Sequence, residues 1–147
     1  MPAAINETTD AITGETVQVV IPWTVEAAKQ RLKELRLEVE TAGVIVDGIP
    51  VSTERGDHRN TMLSLALAGT QNPSLQVPFK LADGSFTIMS GAFASAAWAF
   101  GQSYVAQCFG IEAQASAAIE SAESDAEIDA IFDGLQWPSR THSTEPQ

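Results

Sequence analysis

The segment "GVIVDGIPVSTERGDHR", residues 43–59, brings Arg55, His58 and Arg59 close together in the chain. Arg55 and Arg59 are four residues apart, so a helix would carry them on one face. Such a cluster could bind an anion or a partner's carboxylate, or it could form a salt bridge within the chain. The many acidic residues of this chain favour the internal salt bridge. A hydrolase built on Asp57, His58 and a distant serine would need a geometry that nothing in the sequence supports.

The remaining residues with chemical potential do not form a known catalytic or metal-binding pattern. Cys108 lies in an uncharged, small-residue stretch without a nearby cation, which is typical of a core cysteine and not of a nucleophile. Asp125, Asp129 and Asp133 have helical spacing, whereas a calcium loop needs ligands at alternate positions. Glycine-rich phosphate loops are missing as well. We therefore predict no catalytic residue, no cofactor and no metal ligand.

Composition limits the classes of partner. The 147 residues carry a formal net charge of −11, which disfavours nucleic acid because binding phosphates needs clustered Lys and Arg. Residues 84–111 are uncharged, but they are too rich in Gln, Ser and Gly for a membrane span. We expect neither nucleic-acid binding nor membrane insertion.

Three helices and a short fourth one follow from apolar periodicity and capping signals. Thr24 is the expected N-cap of a helix that ends near Gly43, and Thr53 the expected N-cap of one that ends near Gly69. Ser90 is the expected N-cap of the longest helix, which reaches about residue 122. The short closing helix is predicted between Ser124 and about residue 134.

Two β-hairpins are predicted from their turns. Asp47-Gly48 and Asp83-Gly84 each separate two short apolar runs, which is a strong local hairpin signal. Pro50 cannot donate a ladder hydrogen bond, so its strand is expected at a sheet edge.

The order of elements predicts an α+β fold of two short hairpins packed with three main helices and a short closing helix. We divide the chain into an N-terminal arm with one short strand (residues 1–23), a single domain (24–138) and a polar tail (139–147). Residues 1–16 look like an unstructured arm. Because the strand at residues 16–22 needs a pairing edge, we expect it to pair with the first hairpin or with another protein.

The sequence offers two surfaces for partners. One is the strand of the arm, and the other is the second apolar side of the longest helix, which must be covered because the helix is apolar on two sides. The candidate partner-binding residues are Val17, Val19, Ile21, Trp98, Val105 and Phe109. A homo-oligomer is also compatible with these surfaces.

Four segments in this order resemble an uncharacterised domain encoded in tail genes of tailed bacteriophages, often in proteins labelled tail fibre assembly protein. The segments are "GVIVDGIPVSTER", "FKLADGSFTIMS", "AQCFGIEAQASAAIESA" and "IFDGLQWP", and the likeness covers residues 25–138. The family's Thr-acid-Arg after the first hairpin matches Thr53, Glu54 and Arg55, and its Trp-Lys at the second hairpin is Phe-Lys here. The family continues Arg-Glu-Ser-Gln, whereas this chain continues Arg-Gly-Asp-His.

The resemblance implies a setting and not a mechanism, because no activity is established for the family. It implies a non-enzymatic tail protein, either a virion adaptor between baseplate and tail fibre or a fibre assembly factor. Its partners would be tail fibre or baseplate proteins, and its location the virion tail after assembly in the host cytoplasm. The alternative is a phage hydrolase that acts on a cell-surface polymer, which would need a tuned pair of carboxylates.

A capped helix after an edge hairpin is typical of the family, so Arg55 is expected to tie the first hairpin to the helix that follows it or to the longest helix. We assign structural roles to turn, cap, tie and closing residues: Asp47, Gly48, Thr53, Arg55, Asp83, Gly84 and Trp137.

Overall fold

The computed structural model describes residues 5–20 and 22–145 and has the α+β class that the sequence predicts. Among these residues, no helix combines the length and the apolar character that crossing a membrane requires. The elements in chain order are β1 (Ile5–Thr9), β2 (Thr16–Val20), α1 (Val25–Glu40), β3 (Val44–Val46), β4 (Ile49–Val51), α2 (Asp57–Gln71), β5 (Gln76–Lys80), β6 (Phe86–Ser90), α3 (Gly91–Ser121), α4 (Asp125–Asp133) and β7 (Thr141–His142).

The described chain divides into two compact units. The first comprises residues up to Leu35 together with Ile111–Gln136, and the second comprises Arg36–Gly110 together with the residues from Trp137 onward. In the first unit, the indole of Trp23 stacks on Phe132 with ring centroids 5.3 Å apart and donates to Asp129 Oδ1 at 2.8 Å. Its buried apolar residues are Ala28, Leu32, Ala115, Ile119, Ile128 and Phe132.

The N-terminal segment corrects one expectation. Residues 5–9 form β1, which pairs antiparallel with β2, so the partner of the strand is its own neighbour and not the first hairpin. The loop closes because Asp10 Oδ1 accepts hydrogen bonds from the backbone N–H groups of Ile12 and Thr13, and because Gly14 has a φ of 68°. Sequence periodicity missed β1 because four of its five residues are polar, so no apolar alternation marks it.

The core of the second unit is built from the first hairpin, α2, the second hairpin and the N-terminal part of α3. Phe79, Tyr104 and Cys108 are fully buried there, and Trp137 packs against the same cluster as a closing residue. The other buried members are Val44, Val46, Val51, Met62, Met89, Ala94, Ala97 and Val105.

The first hairpin forms as predicted. Asp47 and Gly48 have φ values of 50° and 78°, so both central residues of the turn are left-handed. Among the described strands, the sheet order is β4-β3-β7, which puts Pro50 at an edge as expected.

Part of the predicted polar tail pairs with this same sheet. Residues Thr141–His142 pair parallel with β3, and Asp47 accepts hydrogen bonds from the backbone N–H and the hydroxyl of Thr144. A two-residue strand has no sequence pattern, so only the open edge of β3 could have indicated it.

Helix caps confirm three of the four predicted starts. The side chains of Thr24, Ser90 and Ser124 accept hydrogen bonds from backbone N–H groups in the first turns of α1, α3 and α4. The prediction that Thr53 caps α2 was wrong, because α2 begins at Asp57. The residue before it, Gly56, has a φ of 81°, which is not a helical conformation. The second hairpin turns as predicted, with Gly84 at a φ of 87°.

The end of α2 lies against the start of α3 at two glycines. A Cβ atom placed on Gly69 would lie 2.1 Å from the carbonyl oxygen of Gly91, and one on Gly91 would lie 2.4 Å from the carbonyl oxygen of Asn72. Both obstacles are backbone atoms, so a side chain could be accommodated only by moving the helices apart.

We expect Gly69→Ala to lower the free energy of unfolding by about 1–3 kcal/mol, because the methyl group overpacks this crossing. Gly110→Ala is the matched control: nothing lies within 4 Å of a Cβ there. Since alanine is the better helix former, this control should be neutral or stabilising by up to about 1 kcal/mol. Urea unfolding of both variants measures the difference, and equal effects would contradict the close crossing.

Candidate functional site

The carboxylate of Glu40 is the centre of the densest group of charged side chains in the second unit. Glu40 is the last residue of α1 and is 0% exposed. Arg36, one helical turn earlier and also buried, binds Glu40 Oε2 through Nη1 at 2.5 Å. The spacing of four residues places both side chains on one helix face, which makes this pair local in origin.

Two more arginines reach Glu40 from the segment after the first hairpin. Arg55 binds it as a fork, with Nε 2.9 Å from Oε1 and Nη2 2.8 Å from Oε2. Arg59 Nη2 lies 3.5 Å from Oε1 and donates to the Thr53 carbonyl oxygen at 2.6 Å. Arg55 therefore ties the segment after the first hairpin to the end of α1. The sequence predicted a tie to α2 or to α3, so the expected partner helix was wrong. We call Arg36, Arg55, Arg59 and Glu40 the arginine cage.

Thr53 closes the C-terminal end of α1 and does not open α2. Its hydroxyl donates to the Glu40 carbonyl oxygen at 2.6 Å and accepts from the Gly43 N–H at 3.0 Å. Arg140 satisfies two further carbonyls, with Nε 2.7 Å from the Gly43 oxygen and Nη2 2.7 Å from the Ala42 oxygen. A cation at these carbonyls also complements the helix dipole.

Phe109 borders the cage from α3. The Arg36 guanidinium lies 4.3 Å from the centre of its ring, and that of Arg55 lies 5.9 Å away. Both distances are within cation–π range, so the exposed ring covers the arginines on this side.

Burial and charge act against each other on the pKa of Glu40. Burial raises the pKa, but the hydrogen bonds and charges of Arg55 and Arg36 outweigh it and hold the pKa below its ordinary value. Glu40 is thus ionised in the folded protein at neutral pH.

Tyr104 and Cys108 are buried on α3 in the same unit. The Tyr104 hydroxyl donates to the Val39 carbonyl oxygen at 2.7 Å, and burial together with the neighbouring Cys108 raises the pKa of Tyr104 to about 12. Burial is also the largest cause that raises the pKa of Cys108. The thiol therefore stays protonated at neutral pH and is a poor nucleophile, in agreement with a core role.

His58 does not join the two arginines that flank it in sequence. Its Nε2 atom is buried and has no hydrogen-bond partner among the described residues. Its side chain lines a separate, open cleft with Lys80 and Asp83 of the second hairpin. The cluster suggested by the sequence therefore divides, with Arg55 and Arg59 on Glu40 and His58 elsewhere.

The cavity beside the cage is small. It is lined by Thr53, Arg59, Trp98 and Val105, among others, and its volume of about 20 Å³ accommodates a single water molecule. Sites for small-molecule ligands are typically about 300–1,000 Å³. In the described part of the chain, no three His, Cys, Asp or Glu residues are arranged to hold a metal ion.

The candidate partner-binding residues have different surroundings. Val105 is buried and Trp98 half-buried in the second unit's core, so on α3 only Phe109 of the three is exposed. Val17 is exposed on β2; Val19 lies on the same strand with its side chain outside the description, and Ile21 lies outside the described residues.

Sequence reasoning missed Glu40 and Arg140. The Arg-x-x-x-Glu spacing in the last turn of α1 could have suggested a pair, but not that three arginines would share one buried carboxylate.

A protein-family model described as "Domain of unknown function (DUF4376)" matches residues 24–132. The chain belongs to this family. The matched residues include Arg36, Glu40, Arg55 and Arg59 but not Arg140. No curated protein and no solved structure matches the chain.

We expect Glu40→Gln to lower the free energy of unfolding by about 3–5 kcal/mol, because it leaves the buried Arg36 without its carboxylate. Glu34→Gln is the matched control on the same helix, since Glu34 is half exposed and pairs with Arg31 at 3.4 Å. Loss of this surface pair should cost no more than about 1 kcal/mol. Urea unfolding at neutral pH measures both, and similar losses would contradict a central role for Glu40.

The pH dependence of the same variant gives a second prediction. The pKa of Glu40 is lower in the folded protein than its unfolded value of about 4.3. Its contribution to stability is therefore complete above the unfolded pKa and is lost as the pH falls through the folded pKa. The stability difference between wild type and Glu40→Gln should be constant from pH 7 to about 5 and should narrow below pH 4. A gap that widens on acidification would contradict this sign.

Proposed function

We propose that this chain is a non-enzymatic protein of a bacteriophage tail that acts by binding other tail proteins. It serves either as a virion adaptor between baseplate and tail fibre or as an assembly factor for the fibre. The likeness of its four sequence segments to a domain of tail genes supports the setting. Its location would then be the virion tail, reached by assembly in the host cytoplasm.

The observation that supports a binding role, and not a catalytic one, is that the arginine cage is engaged within the chain. Arg36, Arg55 and Arg59 are directed at a buried carboxylate of their own chain, beside a cavity of about 20 Å³. Arginines engaged in this way hold the fold together, and the cavity beside them leaves little room for a substrate at the cage itself. Contacts to partners are then left to exposed apolar groups, which lie on the hairpins and, as with Phe109, on the helices.

The hairpin β1–β2 is our candidate docking element. Ile12 at its tip is 94% exposed. Hydrogen bonds from the N–H groups of Ile12 and Thr13 lower the pKa of Asp10, so the acid that orders the tip is ionised at neutral pH. An apolar side chain on an ordered tip suits insertion into a partner's pocket, because little conformational freedom is lost on binding.

A chain that begins at Trp23 should stay folded and monodisperse but should lose binding to the tail fibre or baseplate protein that is its partner. The α1 cap at Thr24 and the stack of Trp23 on Phe132 remain in this variant. Circular dichroism and co-purification after co-expression measure the two outcomes. Ile12→Ser in the full-length chain tests the tip alone, and it should weaken binding to the partner while the hairpin stays folded. Undiminished binding by the truncated chain would exclude the hairpin as the docking element.

Mass spectrometry of purified virions, combined with deletion of the gene, tests the function itself. A fixed copy number of the protein in wild-type virions supports the adaptor. The assembly factor is supported if the protein is absent from wild-type virions and if deletion of its gene yields virions to which fibres fail to attach. Absence from virions that keep normal fibres after deletion would overturn the proposal.

A further inference from the structure

The second hairpin has one strand edge whose main-chain groups are unused. A hydrogen bond from the Leu81 N–H to the Ser85 carbonyl closes the hairpin at 2.8 Å. Bonded and non-bonded pairs alternate along an antiparallel ladder. The pair Phe79–Thr87 is therefore bonded, and the pairs Lys80–Phe86 and Pro78–Ile88 are non-bonded. The N–H and C=O groups of Phe86 and Ile88 consequently point away from β5.

This outer edge of β6 is open in the described part of the chain. The hairpin is a sheet of two strands, and no described residue makes a main-chain hydrogen bond to Phe86 or Ile88 along this edge. The side chains of Phe86 and Ile88 are 68% and 62% exposed. They form one apolar row, because residues two apart on a strand share a face.

Two of the other described edge strands, β5 and β4, carry features that prevent pairing. On β5, Pro78 has no N–H to offer at the outer edge, and Lys80 adds a charge. On β4, Pro50 plays the same part. The sequence of β6, Phe-Thr-Ile-Met-Ser, has no proline, no glycine and no charge. Compared with β5, the other strand of the same hairpin, β6 therefore has an edge that can accept a further strand.

We propose that the outer edge of β6 accepts an extended segment of another protein, which adds as a third strand to the second hairpin. Main-chain hydrogen bonds to Phe86 and Ile88 would hold this segment, as in other cases of strand addition. Its outward side chains would be apolar at alternate positions, because they continue the row of Phe86 and Ile88.

Charge identifies the occupant as a basic segment of a different protein and not a second copy. Each copy carries a net charge of −11, so two copies repel one another, while a segment that alternates apolar and basic residues is attracted. This inference stands whether or not the chain works in a phage tail.

The probe is an amidated seven-residue peptide of alternating lysine and valine, and its control is a peptide of the same composition with the valines in one block. Hydrogen exchange of the full-length protein, followed by NMR, reports on each amide. With saturating alternating peptide, exchange of the Phe86 and Ile88 amides should slow at least tenfold. The Thr87 amide, which faces Phe79 inside the hairpin, should change little. If the block peptide slowed exchange of the Phe86 and Ile88 amides as much as the alternating peptide does, charge attraction alone would explain the protection and the proposal would be overturned.

Variants separate the edge from the rest of the hairpin. Ile88→Pro removes an N–H that the hairpin does not use, opposite a position where Pro78 already stands, and should abolish protection of Phe86. Because this variant could fail to fold, Ile88→Lys provides a second lesion that repels the basic peptide. Lys80→Ala, on the opposite strand β5, is the matched control and should leave protection of the Phe86 and Ile88 amides unchanged. The proposal would be overturned if the peptide still protected the Phe86 amide in Ile88→Lys. It would also be overturned if, without peptide, protection of the Phe86 and Ile88 amides rose with protein concentration and sedimentation showed the mass of a dimer.

Discussion

One buried carboxylate determines much of the second unit. Glu40 ends α1 out of reach of water, and an unpaired charge there would be strongly destabilising. Arg36 meets it from the same helix, while Arg55 and Arg59 meet it from the segment after the first hairpin. The position of that segment, and hence the start of α2, is therefore coupled to the end of α1. Thr53 and Arg140 satisfy the main-chain groups at the same place.

This use of arginine gives meaning to the uneven charge of the chain. The eight Lys and Arg residues are few against 19 Asp and Glu. Three arginines are nevertheless directed to a single acid, and the guanidiniums of Arg36 and Arg55 also contact the ring of Phe109. Most acids remain at the surface, so the protein presents a negative exterior to any partner. Long-range attraction then favours basic partners.

Local signals were enough to predict most of the fold. The caps at Thr24, Ser90 and Ser124 and the turn at Asp47-Gly48 depend on a few neighbouring residues, so the sequence contains them directly. Features that depend on distant residues could not be read in this way. Thr53 was predicted as a helix cap because its hydrogen bond to Glu40, 13 positions away, leaves no local pattern in the sequence. The strand β7 likewise depends on the edge that the distant β3 provides. At the site, the pairing of Arg55 with an acid was predictable, but which acid was not.

The parallel pairing of β3 with β7 has a consequence for how the protein is made. Asp47 and Thr144, which meet beyond this pairing, are separated by 97 positions in sequence. Arg140, which reaches the Ala42 and Gly43 carbonyls, comes equally late. On the ribosome, the first hairpin is synthesised 97 positions before Thr144, so the edge of β3 stays unpaired while these residues are added. Contacts of such sequence separation slow folding, because a long loop must close before they form. The nascent chain is thus exposed to strand-pairing errors at β3 until synthesis has passed Thr144.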